Sequence, residues 1–503
     1  MKSFILAHDI GTSGDKATLF SDSGELVASS FSAYEVYYPH AGWAEQDPSD
    51  YWSAFCRSTR DILAGGFCTP PQIAVIAFSG QMQAALAVDA AGEPLGRSLI
   101  WADQRSIREQ RELASRMSSD RVYDITGHRL NSSYSATKIM WLRRNAPDLY
   151  ARTAKFLHAK DFLAMTLTGS FSTDYSDATG MNLLDIRTFE WSREILDAAG
   201  ISPALLPELH ESTDIVGTVQ RDAADATGLA EGTPVVIGGG DGACATAGAG
   251  VMKAGEAYIC LGTSTWMATA STHPVIDPQR RTTIFAHFRR GLYFLCGSMQ
   301  SGGGAFKWFS EAFPGKGESS GDRYTELAER AGEVPPGAEN LLFLPYLIGE
   351  RAPVWNPSAR ACFIGLSMVH DEAHLARAVM EGVALHLKSI AAAFYDSGLT
   401  FPFFRMLGGA VRNSLWLEIL ADVLETPVAP VLNADNATSI GAAIAGGVGV
   451  GLFGSLEEAA HLVTAGSAVN PRRENFAVYR RLYPAFQRSY DALVPVFESL
   501  TTE

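Results

Sequence analysis

Residues 9–16, Asp-Ile-Gly-Thr-Ser-Gly-Asp-Lys, are the stretch that decides the fold. An apolar segment, 4–7, leads into it and a second, 17–20, leaves it, which predicts two strands joined by a tight turn. Two glycines and two hydroxyl side chains in such a turn present backbone N–H groups and Oγ atoms to an anion. We therefore expect Thr12 and Ser13 to bind phosphate. The carboxylate of Asp9, at the end of the first strand, is a candidate ligand for the divalent cation that accompanies a polyphosphate.

The same pattern returns in the second half of the chain. Residues 257–261 are followed by Gly262-Thr263-Ser264-Thr265, which again runs into a predicted strand. Repetition of Ile-Gly-Thr-Ser as Leu-Gly-Thr-Ser in one structural context is hard to explain by chance. Two phosphate-binding hairpins predict a duplicated α/β nucleotide-binding fold that holds ATP between its halves. Gly262, Thr263 and Ser264 are then further phosphate contacts. Lys16 is another candidate, although a lysine two residues into a strand is more often a solvated side chain.

Size and composition describe an ordinary globular protein. The chain has 503 residues, 47% of them hydrophobic and 19% charged, enough for two or three domains with full cores. No apolar run approaches the ~20 residues that span a bilayer, and the N-terminus lacks the features of a secretory signal, so we expect no membrane partner. Six scattered cysteines without a CxxC pair predict reduced thiols and a cytoplasmic location. A formal net charge of −15 argues against nucleic-acid partners.

Hydrophobic periodicity predicts two successive α/β units. Strands of the first unit are expected at 3–7, 16–20, 26–31, 73–78 and 234–238, and its helices near 47–63, 104–117, 137–144 and 161–167. Strands of the second unit are expected at 257–261, 266–270, 291–295, 341–344 and 405–407, and its helices from 305 and at 372–396, 415–424, 439–446 and 479–497. Small residues over 248–255 suit a hinge. We predict an N-terminal domain over residues 1–246 and a C-terminal domain over residues 247–503.

The stretch Gly238-Gly239-Gly240-Asp241-Gly242-Ala243 allows two interpretations. It contains the G-x-G-x-x-A outline of a dinucleotide-binding turn, which would indicate an NAD-dependent oxidoreductase. That interpretation places the Asp241 carboxylate where a pyrophosphate should lie, and it leaves both hairpins unexplained. We favour Asp241 as a general base on glycines that let a substrate approach closely. The carboxylate would accept the proton of a hydroxyl that attacks the γ-phosphorus in line.

Three further glycine clusters precede predicted helices. Residues 301–304, Ser-Gly-Gly-Gly, place helix N-terminal amides where they suit a phosphate. Residues 408–413 follow a strand and have a spacing suited to packing against an adenine. Residues 439–443 head a helix in which small side chains permit close packing. Each cluster alone is a weak signal, because tight turns need glycine anyway, and their value lies in their order.

Taken together, these motifs resemble the FGGY carbohydrate kinases of the sugar kinase/actin/Hsp70 superfamily, nearly from end to end. Residues 133–145, SYSATKIMWLRRN, resemble the first signature of that family, and residues 361–381 resemble the second. Residues 343–353 and 101–105 are equally typical. The resemblance implies two ribonuclease H-like (actin-like ATPase) domains with a central cleft. It also implies ATP and Mg²⁺ as cofactors and a small sugar or polyol as substrate.

The resemblance assigns roles to individual residues. It makes Asp241 the catalytic base and Asp9 the support for Mg²⁺. The nucleotide contacts that it adds to the hairpin residues are Gly303, Lys307, Gly409 and Asn413. The substrate contacts that it implies are Gln81, Met82, Gln83, Trp101 and Asp103, together with Asp241.

The subfamily is ambiguous. Residues 80–83 and 43–48 look most like xylulokinases, which implies a ketopentose such as xylulose. Gln83 and Gly242 depart from that pattern, since a histidine and an amide residue are typical at these positions. Residues 241–244, 101–105 and 351–355 lean towards gluconokinases instead. Gluconate is an anion and favours an arginine in the pocket. Arg105 is the candidate for that contact, with a structural role as the equal alternative.

Two alternatives of other classes stay open at this point. One is a non-catalytic ATPase clamp on the same superfamily scaffold, which would explain the hairpins but not the elaborated first half. The other is the oxidoreductase that residues 238–243 suggest. A homodimer is the ordinary expectation for such an enzyme.

Overall fold

The computed structural model describes residues 3–313 and 323–500. Its strands are β1 (Phe4–Ile10), β2 (Gly14–Ser21), β3 (Leu26–Ala33), β4 (Glu45–Gln46), β5 (Ile73–Gly80), β6 (Leu86–Val88), β7 (Ser98–Leu99), β8 (Lys155–Leu157), β9 (Ser172–Asp174), β10 (Leu184–Asp185), β11 (Glu190–Trp191), β12 (Glu208–His210), β13 (Ile215–Thr218), β14 (Pro234–Gly240), β15 (Ala257–Leu261), β16 (Thr265–Ser271), β17 (Thr283–Ala286), β18 (Tyr293–Met299), β19 (Leu342–Leu344), β20 (Cys362–Ile364), β21 (Phe404–Leu407) and β22 (Val428–Pro430).

Its helices are α1 (Pro48–Ala64), α2 (Ile107–Arg116), α3 (Ser119–Thr126), α4 (Ser135–Asn145), α5 (Pro147–Arg152), α6 (Ala159–Thr168), α7 (Tyr175–Thr179), α8 (Arg193–Ala199), α9 (Arg221–Thr227), α10 (Asp241–Gly248), α11 (Gly303–Ala312), α12 (Arg323–Glu333), α13 (Glu372–Asp396), α14 (Ser414–Leu424), α15 (Ala437–Gly449) and α16 (Phe476–Leu500). None of these helices has the length and apolarity that crossing a membrane requires.

Two large mixed sheets share the order of five strands, β14-β5-β1-β2-β3 in the first and β22-β21-β15-β16-β18 in the second, and differ in the edge to which the sixth strand is added. In the described residues, the strand order is β13-β14-β5-β1-β2-β3 in the first sheet and β17-β18-β16-β15-β21-β22 in the second. Each sheet is built on an antiparallel hairpin, β1–β2 or β15–β16. The first strand of each hairpin pairs in parallel with a later strand, β5 or β21. The duplication predicted from the two Gly-Thr-Ser turns is therefore confirmed in the connectivity.

The central strands are apolar because both faces of each sheet are covered. Every residue of β1 except Asp9 is buried, as expected for a strand between two helical layers. Helix α1 lies against β2 and β3 and begins at Asp47, whose side chain accepts the N–H of Ser49 at 3.0 Å. Helix α15, from the second half of the chain, covers β1, β5 and β14 on the other face.

Small residues let α10 and α15 pack closely between the two sheets. A Cβ added to Gly248 would lie 1.8 Å from the carbonyl oxygen of Ala437. A Cβ added to Gly441 would lie 2.1 Å from the carbonyl oxygen of Cys244. These distances exclude any side chain at either position, so the close packing expected from residues 439–443 is confirmed. The division of the chain between residues 246 and 247 stays a prediction.

Candidate active site

Two carboxylates meet at one edge of the first sheet. Strands β1, β5 and β14 run parallel to one another, so their C-terminal ends lie at the same edge. Asp9 is paired with Ser79 on β5, and Gly240, which precedes Asp241, is paired with Gly80. Asp9 and Asp241 are therefore two strands apart, about 10 Å at the usual strand spacing.

Asp241 has the environment of a base that works near neutral pH. Its Oδ1 accepts the backbone N–H of Gly242 at 2.6 Å. The side chain opens to the cleft but is enclosed by protein around it, and this burial, followed by the negative charge of Asp9, raises its pKa to about 7. Among the described residues, no ion pair neutralises either carboxylate. A carboxylate with such a pKa is suited to accept a proton at physiological pH.

A cavity of about 350 Å³ lies in front of Asp241, between the two halves of the chain. Its walls include Met82, Gln83 and Trp101, which the sequence predicts as substrate contacts. The second half supplies mainly aromatic and small side chains. The lining residues from that half are Tyr258, Trp266, Phe285, Phe294, Cys296, Ser298, Arg351 and Thr438. The cavity therefore has one polar wall and one largely apolar wall.

Two other predicted substrate residues lie behind the wall of this cavity. Gln81 is buried and donates through Nε2 to Gln46 Oε1 at 2.7 Å. Asp103 is fully buried and accepts the backbone N–H of Ala44 at 2.7 Å. Neither lines the cavity, so each supports the wall in this conformation. Their assignment as direct sugar contacts stays a prediction.

The structure favours a structural role for Arg105. Its guanidinium lies 2.7 Å from both Asp103 Oδ2 and Glu45 Oε1, and it stacks over Trp43 at 3.6 Å from the ring centre. Arg351 is the cation that does line the cavity, and its guanidinium has no hydrogen-bond or ion-pair partner within residues 3–313 and 323–500. The sequence analysis quoted the motif over 343–353 but did not identify this arginine as a site residue.

The first hairpin is held by hydrogen bonds from Trp101, which lines the cavity, and from the buried Gln46, which does not. Thr12 Oγ1 accepts the indole N–H of Trp101 at 2.9 Å, and the Thr12 carbonyl accepts Gln46 Nε2 at 2.7 Å. Ser13 is exposed at the tip of the turn. Lys16 Nζ donates to Asn436 Oδ1 at 2.5 Å and to the carbonyl of Asp435 at 3.1 Å. Lys16 thus joins the hairpin to the second half of the chain in this conformation, and its contact with phosphate stays a prediction.

The chemistry around Asp9 suits a divalent cation. Its Oδ2 accepts the hydroxyl of Thr438 at 2.6 Å, and burial is the main cause that raises its pKa. Lys16 lies close enough to lower that pKa slightly, but it is bonded elsewhere. A carboxylate without an ion-pair partner among the described residues is a suitable oxygen ligand for a hard cation, so Asp9 can supply one ligand.

Three glycine turns of the second half stack into one backbone surface. The N–H of Gly303 donates to the carbonyl of Gly262 at 2.7 Å, and that of Gly304 donates to Thr263 at 3.0 Å. A Cβ added to Gly408 would lie 2.5 Å from the carbonyl oxygen of Leu261. The turns that follow β15, β18 and β21 therefore touch one another, which brings Gly262, Thr263, Ser264 and Gly303 together. The N–H groups of Gly303 and Gly304 are used within these turns, whereas the side chains of Thr263 and Ser264 are exposed, and their hydroxyls suit phosphate oxygens.

A second cavity, of about 640 Å³, begins at Gly409, the residue after Gly408. Gly409 and Asn413 line it, as expected for the nucleoside, together with residues of α12 and the start of α14. Asn413 also begins α14, because its Oδ1 accepts the N–H of Trp416 at 3.2 Å. Lys307 lines neither cavity: it lies on the exposed side of α11, 3.8 Å from Glu311. A role for Lys307 at the nucleotide stays a prediction.

A buried charge cluster that the sequence did not predict supports the end of β14, the strand that directly precedes Asp241. Lys160 Nζ lies 2.7 Å from Asp161, 3.0 Å from Asp174 and 3.4 Å from Asp177. His158, Asp161 and Asp177 have spacing that suits a metal ion, but the ammonium already lies among the carboxylates. Ser176 extends the cluster. Its Oγ accepts the N–H of Gly240 at 3.0 Å and donates to Asp174 Oδ2.

Comparison with known proteins agrees with this geometry. The model of the N-terminal domain of the FGGY family of carbohydrate kinases matches residues 4–248, and that of the C-terminal domain matches residues 257–450. The chain is 32% identical to a xylulose kinase of Lactococcus lactis over 97% of this chain and 96% of that protein. It is 31% identical to a gluconokinase of Bacillus licheniformis, over 97% and 95%.

A solved structure supports the same assignment. The gluconate kinase of Lactobacillus acidophilus superimposes with a TM-score of 0.93 at 25% identity, covering 100% of both chains. The expected fold, two actin-like α/β domains around a cleft, is confirmed by this match, and a kinase is favoured over the oxidoreductase suggested by residues 238–243. With both domain models matched and near-complete alignment to these relatives, the chain belongs to the FGGY family of carbohydrate kinases.

Proposed function

We propose that this kinase transfers the γ-phosphoryl group of ATP to a hydroxyl of a ketopentose such as xylulose. The observation that carries the proposal is the 350 Å³ cavity, in which Asp241 faces the side chains of Met82, Gln83 and Trp101. Several relatives over nearly the whole chain are named xylulose kinase, which supports the ketopentose.

The proposed reaction uses Asp241 as general base. Its carboxylate takes the proton of the attacking hydroxyl as the oxygen forms a bond to the γ-phosphorus, and the bond from that phosphorus to the bridging oxygen breaks to release ADP. The turns at 11–13 and 262–264 hold the phosphates from opposite halves. Because sugar-facing and nucleotide-facing groups lie mostly on different halves, closure of the cleft would bring the reactants together and exclude water.

Asp9 is the residue that we propose to support Mg²⁺. The bound ion would supply charge neutralisation at the phosphate oxygens. Thr438 orients the Asp9 carboxylate through its hydroxyl. In this arrangement Asp9 holds the metal while Asp241 stays available for the sugar hydroxyl.

A sugar acid such as gluconate is the second candidate substrate, and Arg351 is the observation that favours it. The unpaired guanidinium lines the same cavity as Asp241, and a planar cation of this kind suits a carboxylate. Gly242 leaves room on that side, because a Cβ there would lie only in ordinary contact with the Phe294 ring, at 3.5 Å. A relative named gluconokinase supports the same candidate.

A coupled assay with ATP and Mg²⁺ against xylulose, ribulose, gluconate, glycerol, erythritol and fuculose tests the proposal. We expect the highest kcat/KM with a ketopentose. Preference for gluconate, lost in Arg351→Met, would establish the second candidate instead. Strong ATP hydrolysis that no sugar stimulates would indicate an ATPase clamp and contradict both.

Asp241→Asn tests the base. We expect kcat to fall by about 10²–10⁴-fold, while ATP binding measured by calorimetry stays unchanged. Near-normal turnover in this variant would show that another group takes the proton.

We further propose a cytoplasmic location, no nucleic-acid partner and a homodimer for this enzyme. All six cysteines are free thiols, which is typical of a reducing compartment and supports a cytoplasmic location. The charge of −15 supports the expectation of no nucleic-acid partner. A homodimer is proposed on general grounds, and sedimentation would test it.

A further inference from the structure

Lys138 is a buried cation that the proposed reaction does not use. It lies on α4, within the first signature of the family, and its side chain is fully buried. Burial lowers its pKa to about 7, and no carboxylate among the described residues pairs with it. A buried ammonium without an ion-pair partner is costly, so its other contacts need an explanation.

All three N–H bonds of the ammonium donate to backbone carbonyls. Nζ lies 2.8 Å from the carbonyl oxygen of Gln83, 2.6 Å from that of Ile100 and 2.6 Å from that of Ser133. An ammonium group has three donors, so its hydrogen-bonding capacity is fully used. Lys138 therefore ties together three segments that are far apart in the sequence.

Two of these segments carry side chains of the proposed sugar cavity. Gln83 lines the cavity, and Ile100 directly precedes Trp101, which lines it too. Gln83 has φ of +66°, a left-handed conformation that a glutamine rarely adopts without support. The neighbouring carbonyl of Ala84 accepts the hydroxyl of Ser135, one helical turn from Lys138 on α4. One helix face thus holds the backbone of residues 83 and 84.

The bond to Ile100 extends this support to the first hairpin. Trp101 donates through its indole N–H to Thr12 Oγ1. A shift of residues 100–101 would therefore move both a wall of the cavity and a proposed phosphate contact. No other described side chain bonds both the Gln83 and the Ile100 carbonyls.

We propose that Lys138 is a positioning residue of the sugar site, whose ammonium fixes Gln83 and Trp101 by holding the carbonyls of residues 83, 100 and 133. The proposal rests on the proposed function only in treating this cavity as the sugar site. It assigns Lys138 an effect on sugar binding rather than on the chemical step, because the residue touches neither Asp241 nor the glycine surface.

The test compares Lys138→Met and Lys138→Gln with Lys155→Met. Lys155 is a matched control, because its Nζ also donates to two carbonyls, those of Ala204 and Leu206, but away from the cavity. For the sugar that the wild-type enzyme phosphorylates best, we expect KM to rise about tenfold or more in Lys138→Met and less in Lys138→Gln, which keeps two donors. The KM for ATP should rise less than the KM for the sugar, because Lys138 reaches the proposed phosphate contact at Thr12 only through Trp101. Lys155→Met should leave both constants unchanged.

A double-mutant cycle with Gln83→Ala asks whether Lys138 acts through Gln83. We expect the increase in KM caused by Lys138→Met to be smaller in the Gln83→Ala background, because the side chain that it positions is already absent. If the effects of the two substitutions on log KM are fully additive, Lys138 does not act through Gln83. Equal losses in the Lys138 and Lys155 variants would reduce Lys138 to a general stabilising role.

Hydrogen exchange separates this proposal from the proposed function. Peptides covering 81–84 and 100–102 should exchange faster in Lys138→Gln than in the wild type, while peptides covering 203–206 should not. If no sugar is phosphorylated by the wild type, the proposed function fails, and this exchange measurement alone decides the role of Lys138. Unchanged exchange at both segments would refute it.

Discussion

The two Gly-Thr-Ser hairpins occupy equivalent places in the two sheets, yet they are held differently. The turn at 11–13 is fixed by side chains, among them Trp101 of the cavity wall and the buried Gln46. The turn at 262–264 is fixed by backbone bonds from Gly303 and Gly304. The two hairpins also differ in the residue that lies two positions before the turn. This residue is Asp9 in the first hairpin and Cys260 in the second, so only the first has a carboxylate there.

This difference suggests two purposes for the repeated turn that we propose to bind phosphate. Because hydrogen bonds connect the first turn to the cavity wall, the position of a phosphate there is coupled to the sugar side chains. Backbone N–H groups of Gly302, Gly303 and Gly304 bond to the second turn, and no bond from a cavity-lining side chain to it is found among the described residues, so phosphate binding proposed there is not coupled to the cavity wall. We therefore expect substitutions in the first hairpin to affect both substrates, and those in the second to affect ATP alone.

The largest contrast is expected between Asp9→Asn and Cys260→Ser. Removing the proposed metal ligand should lower kcat by about 10²–10³-fold at saturating substrates, because phosphoryl transfer depends on charge neutralisation at the phosphates. Cys260→Ser should change kcat by less than about twofold, since no acid is needed there. Steady-state kinetics over a Mg²⁺ titration measure both. Equal effects of the two substitutions would contradict the assignment of the metal to the first hairpin.

The next effect is on pH dependence. Because the pKa of Asp241 is raised to about 7, the base is protonated and inactive below that value. We expect kcat/KM to fall about tenfold per pH unit below pH 7, or about 100-fold by pH 5, and to level off above it. The same raised pKa makes the folded state bind the proton more tightly, so this group stabilises the fold at low pH and that stabilisation is lost as pH rises through 7. Asp241→Asn should therefore raise Tm more at pH 8 than at pH 5.

A smaller effect separates the two threonines. Thr12→Val removes the acceptor for Trp101, and we expect KM to rise about tenfold for both sugar and ATP. Thr263→Val should raise KM for ATP by a similar factor and leave KM for sugar unchanged. Initial rates with each substrate varied at saturation of the other distinguish the two. A rise in sugar KM in Thr263→Val would remove the distinction between the hairpins.

The smallest effect is expected for Lys16→Met. Met267 occupies the corresponding place after the second turn, so the substitution makes the first hairpin resemble the second. Lys16 bonds to residues 435 and 436, and an exposed contact of this type contributes about 1 kcal/mol or less. We expect kcat/KM for ATP to fall by about threefold. A loss of 100-fold would show that Lys16 leaves Asn436 and contacts phosphate directly.

Much of the fold could be predicted from local patterns. Helix α13 begins and ends where its apolar spacing predicts, and the hairpins begin at the expected apolar runs. The site was only partly predictable. Asp241, Met82, Gln83 and Trp101 line one cavity, as expected, whereas Gln81 and Asp103 are buried behind its wall. The sequence could not predict this difference, because a short motif does not show to which side of a loop a side chain points.

The residues missed were those whose role depends on distant partners. Lys160 and Asp174 are ordinary charged residues along the chain, and only folding brings the ammonium among three carboxylates. Arg105 lies in the motif at 101–105 and Arg351 in the motif at 343–353. The guanidinium of Arg105 forms an ion pair with Glu45, whereas that of Arg351 has no ion-pair partner among the described residues. Sequence spacing contains no information on such pairings.

By itself, the amino-acid sequence determined the duplicated hairpins, the two α/β units and the acidic residues at the ends of β1 and β14. These features follow from periodicity and turn chemistry, which act between residues a few positions apart. Only the tertiary structure decided which arginine and which glutamine line the cavity and how Lys138 holds three distant carbonyls. Those outcomes depend on burial and on contacts between residues remote in the chain, where the free-energy cost of an unpaired charge selects its partner.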